Sequence, residues 1–167
     1  MGMLHRSGSR RETATAYGLV AAQFTLLLVV VLWSPPRGWE LPDWLDRGAG
    51  LLGLAGAFWL VAGIAGLGRS VSALPLPVVH GTLKIGGLYR LSRHPIYTGV
   101  LALAWSAAIR SGSPWPLLVA LALTAVLHIK ARFEEKTLRR AYPGYADYAS
   151  RTPRFLPLGR MARPRRR

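Results

Sequence analysis

Four stretches of the chain are continuously apolar rather than alternating: residues 17–33, broken only by Gln23 and Thr25; 50–68, uncharged throughout; 96–109; and 115–129. A helix rises about 1.5 Å per residue, so the first two stretches predict helices able to cross a hydrocarbon core of about 30 Å. The third and fourth are shorter and are joined by Arg110-Ser111-Gly112-Ser113-Pro114. That linker is turn chemistry, with Arg110 free to snorkel towards lipid head groups, and the pair predicts a helical hairpin. Runs of this length mark membrane helices rather than the buried helices of a soluble protein. Ser34-Pro35-Pro36 predicts a turn where the chain leaves the membrane. The expected fold is therefore all-α: a polytopic membrane protein with about four transmembrane helices, the last two a hairpin, and a cytoplasmic C-terminal helical tail.

Composition agrees. Of 167 residues, 51% are hydrophobic and 17% charged, too apolar for a disordered chain. There is no Cys, which removes disulfides, cysteine zinc sites and thiol nucleophiles, and no metal centre is expected. The net charge of +15 invites a nucleic-acid reading, but its placement follows the membrane. Arg6, Arg10 and Arg11 precede the first run, whereas Arg37 and Arg47 are outnumbered by Glu40, Asp43 and Asp46 in the next loop. Arg69, Lys84, Arg90 and Arg93 face no acid between the second and third runs, and twelve Lys and Arg face three acids after the fourth. This alternation satisfies the positive-inside rule, with both termini and the 69–95 loop cytoplasmic, in the plasma (inner) membrane. Ser9-Arg10-Arg11 has the look of a twin-arginine export signal, but no small-residue cleavage site follows Trp33. Five Arg between positions 160 and 167 suit a topology signal and attraction to anionic lipid; no specific nucleic acid is expected, since no groove-reading helix or aromatic platform accompanies them. The chain divides into a basic cytoplasmic N-terminus (1–16), two transmembrane helices (17–68), a core of loop, hairpin and tail (69–158), and a basic end (159–167).

Only two long segments, 69–95 and 130–167, can hold a polar site, and three blocks stand out in them. In Arg93-His94-Pro95, Pro95 suits a first helical turn and places His94 at the N-cap. The unpaired amides and dipole of that helix end, with Arg93, suit a carboxylate; the same residues also suit a basic approach to the membrane with Tyr97 as a belt residue. Gly99 permits close approach of a helix or a ligand. In the second block His128, Arg132 and Glu135 share one helical face, and His128 within an apolar run is a functional candidate. Glu134 and Glu135 offer an anionic spot for a ligand cation, or else Glu135 pairs with Arg139 one turn on. In the third block Pro143-Gly144 is a turn, after which Tyr145 and Tyr148 line one face of a short helix. That helix either anchors on the membrane or folds back as a lid, with tyrosine faces towards a cation.

The order Gly87-x-Tyr89-x3-Arg93-His94-Pro95-x-Tyr97-x-Gly99, Glu134-Glu135-x2-Leu138, Tyr142-x-Gly144-x2-Tyr148 and Pro153-Arg154-Phe155-x-Pro157 resembles the isoprenylcysteine carboxyl methyltransferase and phospholipid methyltransferase superfamily over residues 80–158. The resemblance implies an integral membrane enzyme that moves a methyl group from S-adenosylmethionine to a hydrophobic or lipid-borne carboxylate, amine or thiol at the cytoplasmic face. It implies that Arg93, His94, Tyr97 and Gly99 border the cofactor, that Glu134 and Glu135 serve its amino acid part, and that Tyr148 and Arg154 close the pocket. Tyr145 joins them by its spacing from Tyr148. Arg93, His94 and Glu135 take the catalytic assignment, and the partners are the bilayer and the lipid-like acceptor. Two other readings stay open: a sterol-reductase-like NADPH enzyme, whose tail carries an Asp and a Cys before Lys-Tyr-Gly, and a non-catalytic membrane scaffold or lipid-binding protein. Small residues at Gly50, Gly53, Gly56, Gly63 and Gly66 allow close packing within or between chains, so the oligomeric state is left open.

Overall fold

The computed structural model describes residues 10–32, 38–67 and 83–155. It is helical throughout the described residues: α1 (Arg10–Leu32), α2 (Asp43–Leu67), a 3-10 turn (Gly87–Arg90), α3 (Pro95–Arg110), α4 (Pro114–Ala141) and α5 (Tyr145–Arg151). The basic run 160–167, Arg6, the Ser34-Pro35-Pro36 turn, Pro157 and the loop at 69–82 lie outside the described residues.

Each apolar run coincides with a helix, and each helix begins before its run. α1 starts at Arg10, taking in the Arg pair of the export-like motif, and α2 starts at Asp43, where Asp43 and Asp46 complement the helix dipole. Pro occupies the first turn of both α3 and α4, where its missing amide hydrogen leaves no hydrogen bond unmade. The expected hairpin is present, turning through Gly112 at φ 60°. Its helices are unequal. α4 runs for 28 residues, because Lys130 to Ala141 continue the helix past the apolar stretch, and only α3, at 16 residues, is short. Three helices, α1, α2 and α4, are long and apolar enough to cross a membrane; α3 rises only about 24 Å and is flanked by them. The protein is an integral membrane protein on these spans.

By contact the helices form a row α2–α3–α4–α1, so α1 and α2, successive in sequence, occupy its two ends. The most extensive interface is α2 with α3, and it is made by absence of side chains. Gly53, Gly56 and Gly63 of α2 face Ser106, Ala102 and Ile96 of α3, while Leu51, Leu54, Phe58 and Val61 point outwards. This is the arrangement a membrane favours: lipid accepts the bulky residues, and the small ones let backbones approach. Gly99 completes the contact, since a Cβ there would stand 2.5 Å from the Leu60 nitrogen and 2.7 Å from the Gly56 oxygen. On the other side α1 lies along α4, and Leu26 and Leu27 pack on a core of Ala104, Leu123 and Leu127.

Ion pairs fasten both ends. At one, Arg110 meets Asp46 through Nε at 2.9 Å and Nη2 at 3.4 Å, a partner more specific than the lipid head groups expected for it. The amides of Gly38 and Trp39 donate to the Gly112 carbonyl at the same end. At the other, Arg140 of α4 pairs with Glu12 of α1 at 2.9 Å.

Gly99→Val is expected to force α2 from α3 and destabilise the protein by about 1–3 kcal/mol, as overpacking does. Gly18→Ala, where no atom lies within 4 Å of the new Cβ, should leave thermal unfolding in detergent unchanged or slightly improved.

Candidate functional site

The segment before α3 and the segment after α5 are joined by backbone hydrogen bonds. The Arg93 amide donates to the Pro153 carbonyl at 2.9 Å and the His94 amide to the Arg154 carbonyl at 3.1 Å. Ser92 is buried between them, its hydroxyl donating to the same Arg154 carbonyl at 3.1 Å and accepting from the His94 amide at 3.2 Å. Tyr148 of α5 donates to the Tyr89 carbonyl at 2.6 Å, and the Tyr89 hydroxyl reaches the Gly63 carbonyl of α2 at 3.4 Å. The tail thus folds back over the start of α3 and the end of α4, satisfying backbone groups that a membrane-surface anchor would have left to water.

Arg93, His94, Glu134, Glu135 and Arg154 converge under this tail, but the two glutamates do different work. Glu135, whose side chain is 5% exposed, receives Arg154 in bidentate fashion, Nε at 2.7 Å and Nη2 at 2.9 Å. Arg93 Nη1 stands 3.2 Å from its other side, and His94 Nε2 lies 3.3 Å from Oε1. A buried carboxylate is stable only when paired and hydrogen-bonded, and here two guanidiniums meet it. Glu134, 29% exposed, accepts the Tyr97 hydroxyl at 2.9 Å, with His94 Nδ1 3.6 Å from the same oxygen. The Glu135–Arg139 pairing considered from spacing is not made: Arg139 lies over the Tyr145 ring, 5.9 Å from its centroid.

Aromatic rings frame the cluster. His94 stacks on Tyr97 at 5.1 Å with planes 5° apart. Phe155 stands between His94 and His128, with centroid distances of 6.2 and 5.5 Å. His128 accepts from Arg154 Nη1 through Nε2 at 3.1 Å, since a guanidinium has no acceptor. Tyr145 is buried and edge-on to Tyr148 at 5.8 Å. Burial, with the charge of Glu135 adding to it, pushes its hydroxyl up to about 12, which keeps it a neutral donor. The pairing with Glu135 holds Arg154 more firmly protonated still. Three buried polar atoms in this region have no partner: Arg93 Nε, His94 Nε2 and the Tyr145 hydroxyl.

The sequence profile of the phospholipid methyltransferase family matches residues 48–144, more than half of the chain, from α2 to the turn before α5. The chain belongs to the phospholipid methyltransferase family. Two curated relatives bear on where in it. Methanethiol S-methyltransferase 2 of Bradyrhizobium diazoefficiens is 29% identical over 153 residues, covering 80% of this chain and 56% of that protein. The cobalt-zinc-cadmium resistance protein CzcN of Cupriavidus metallidurans is 34% identical over 79 residues, 47% of this chain and 37% of that one. The chain therefore spans about half the length of the curated relatives it matches.

Within this family member, Arg93, His94, Tyr97, Glu134, Glu135 and Arg154 form one connected group, and Tyr145 and Tyr148 lie in the α5 lid above it. Gly99 does not face the group; its open side is filled by the α2 backbone. Ser92 and Lys130 were not singled out from the sequence, and Tyr89 entered only as a motif position without a role. Lys130 is buried on α4 and bonded to Gln23 of α1, and the only signal for it was Gln23 itself, a polar break in an apolar run.

Removing the charge of Glu135 should loosen the tail before it affects the helices. Glu135→Gln leaves Arg93 and Arg154 as poorly paired cations, a loss of about 3–5 kcal/mol for a broken buried pair. Limited proteolysis is expected to cut the variant within residues 142–155 while the membrane-spanning helices stay intact.

Proposed function

We propose that the protein is an S-adenosylmethionine-dependent methyltransferase acting on a hydrophobic or lipid-borne acceptor at the cytoplasmic face of the membrane. The observation that carries this reading is the meeting of an accessible carboxylate, Glu134, with the unpartnered buried donors of Arg93 and Tyr145 beneath one lid. A zwitterionic amino acid moiety needs an anion and cationic donors side by side, and this donor set fits it. Glu134 would meet the ammonium. Arg93 and the first turn of α3 would meet the carboxylate. Glu135, already held by two arginines, would organise these groups rather than touch the ligand, and Tyr148 would offer a ring face to a cation.

When bound, S-adenosylmethionine supplies an electrophilic methyl group on a sulfonium. The chain's own part is to orient, to keep water out through the tail, and to hold the acceptor in line at about 3–3.5 Å. A carboxylate acceptor needs no base. An amine or thiol must shed a proton, and His94, with Nδ1 beside Glu134, is the residue placed to take it. The thiol version is favoured by one observation: the relative named as a methanethiol S-methyltransferase aligns over 80% of this chain.

Orientation follows from charge. The end of the bundle that carries the site also carries Arg10, Arg11, Arg90, Lys136, Arg139 and Arg140, while Glu40, Asp43 and Asp46 lie at the other, which supports a cytoplasmic site and cytoplasmic termini.

Purified protein in lipid nanodiscs, given methyl-labelled S-adenosylmethionine with total membrane lipid in one arm and methanethiol in the other, should transfer label in at least one. The labelled product identifies the acceptor, and no transfer in either arm argues against the enzyme. Glu134→Gln should weaken S-adenosylmethionine binding in calorimetry by about 1.5–3 kcal/mol, roughly ten- to a hundredfold, with the fold intact; unchanged affinity would reject Glu134 as the ammonium partner.

A further inference from the structure

Lys130 lies inside the bundle, 1% exposed, one helical turn before Glu134 on α4. Its ammonium is met by an amide and an aromatic face. Nζ donates to Oε1 of Gln23 at 2.6 Å and stands 5.1 Å from the centroid of the Tyr97 ring. Gln23 is itself buried, on α1. Tyr97 in turn stacks on His94 and donates its hydroxyl to Glu134. A continuous path thus runs from Gln23 through Lys130 and Tyr97 to the open carboxylate and the imidazole.

We propose that Lys130, held by Gln23, is a positioning residue that fixes Tyr97 and, through it, Glu134 and His94. The physical case has three parts. A cation in a desolvated setting binds an aromatic face more strongly than one in water, so the Tyr97 ring is held where it lies. A positive charge beside the ring also draws electron density from the phenol, strengthening its donation to the carboxylate. Tyr97 occupies one oxygen of Glu134, leaving the other to face a ligand; without the ring held in place the carboxylate is free to turn. Burying an ammonium is costly, and a residue inside a membrane bundle that carries that cost is a functional candidate. The inference rests on the reading of Glu134 as the ligand-facing acid, and its test is built to separate the two.

The full-length protein in nanodiscs, labelled with tyrosine carrying 13C at Cζ, supplies a readout independent of the methyl donor; the Tyr97 resonance is the one lost in Tyr97→Phe. Lys130→Met should move that resonance and weaken S-adenosylmethionine binding by about tenfold. Lys130→Arg keeps a cation over the ring and should restore the resonance and hold affinity within about threefold. Gln23→Leu should shift the resonance in the same direction as Lys130→Met. In a Tyr97→Phe background, Lys130→Met should add less than about twofold, because residues acting along one path are not additive. An unmoved Tyr97 resonance in Lys130→Met overturns the proposal, as does a loss of affinity that multiplies in the double variant. If Lys130→Met fails to fold, the resonance in Lys130→Arg and Gln23→Leu decides. Should the unsubstituted protein bind no S-adenosylmethionine, the reading of Glu134 falls, while the resonance still decides whether Lys130 fixes Tyr97.

Discussion

The carboxylate of Glu135 is the point at which the separate parts of the protein become one. Arg93 comes from the segment leading into α3, Arg154 from beyond α5, and Glu135 from the far turns of α4. None of these charges could stay buried alone, because the desolvation of a lone ion exceeds what packing returns. Together they satisfy one another, and the backbone pairing of Arg93 with Pro153 and of His94 with Arg154 follows the same line. The tail is thus held by ion pairing and backbone hydrogen bonds together with the ring contacts of Tyr145 and Phe155.

A division of labour follows between neighbours in sequence. Glu134 and Glu135 differ by one position, hence by about 100° around the helix, and that rotation sends one into the arginine clamp and the other to the Tyr97 edge of the site. The pair is therefore not a doubled negative charge. One acid is buried in the arginine clamp, and the other stays partly open beside Tyr97.

The apolar runs made the helices and the hairpin legible, since length and continuity of hydrophobic residues are local properties. The shared face of His128, Arg132 and Glu135 likewise carried α4 past its apolar stretch; what spacing did not reveal is that Gln23, Glu12 and Arg154, on other elements, receive the side chains of that extension. The meeting of Arg93 and His94 with the glutamates came from resemblance; no spacing rule connects positions some forty residues apart. Gly99 was read as bordering a ligand or a helix, and only packing decides which side of a helix a missing side chain opens. Arg110 and Arg139 found Asp46 and the Tyr145 ring, partners on other elements that helical periodicity does not reveal.

The backbone hydrogen bonds between the start of α3 and the segment after α5 join residues that emerge from the ribosome far apart in time. α1 to α4 are all made before Arg154 exists to meet Glu135. Until then that acid and Arg93 stand at the membrane surface without the third member of their cluster, so assembly of the polar enclosure is a late event in biogenesis. A chain arrested before its tail is made would be inserted and helical, yet without the enclosure around Glu135.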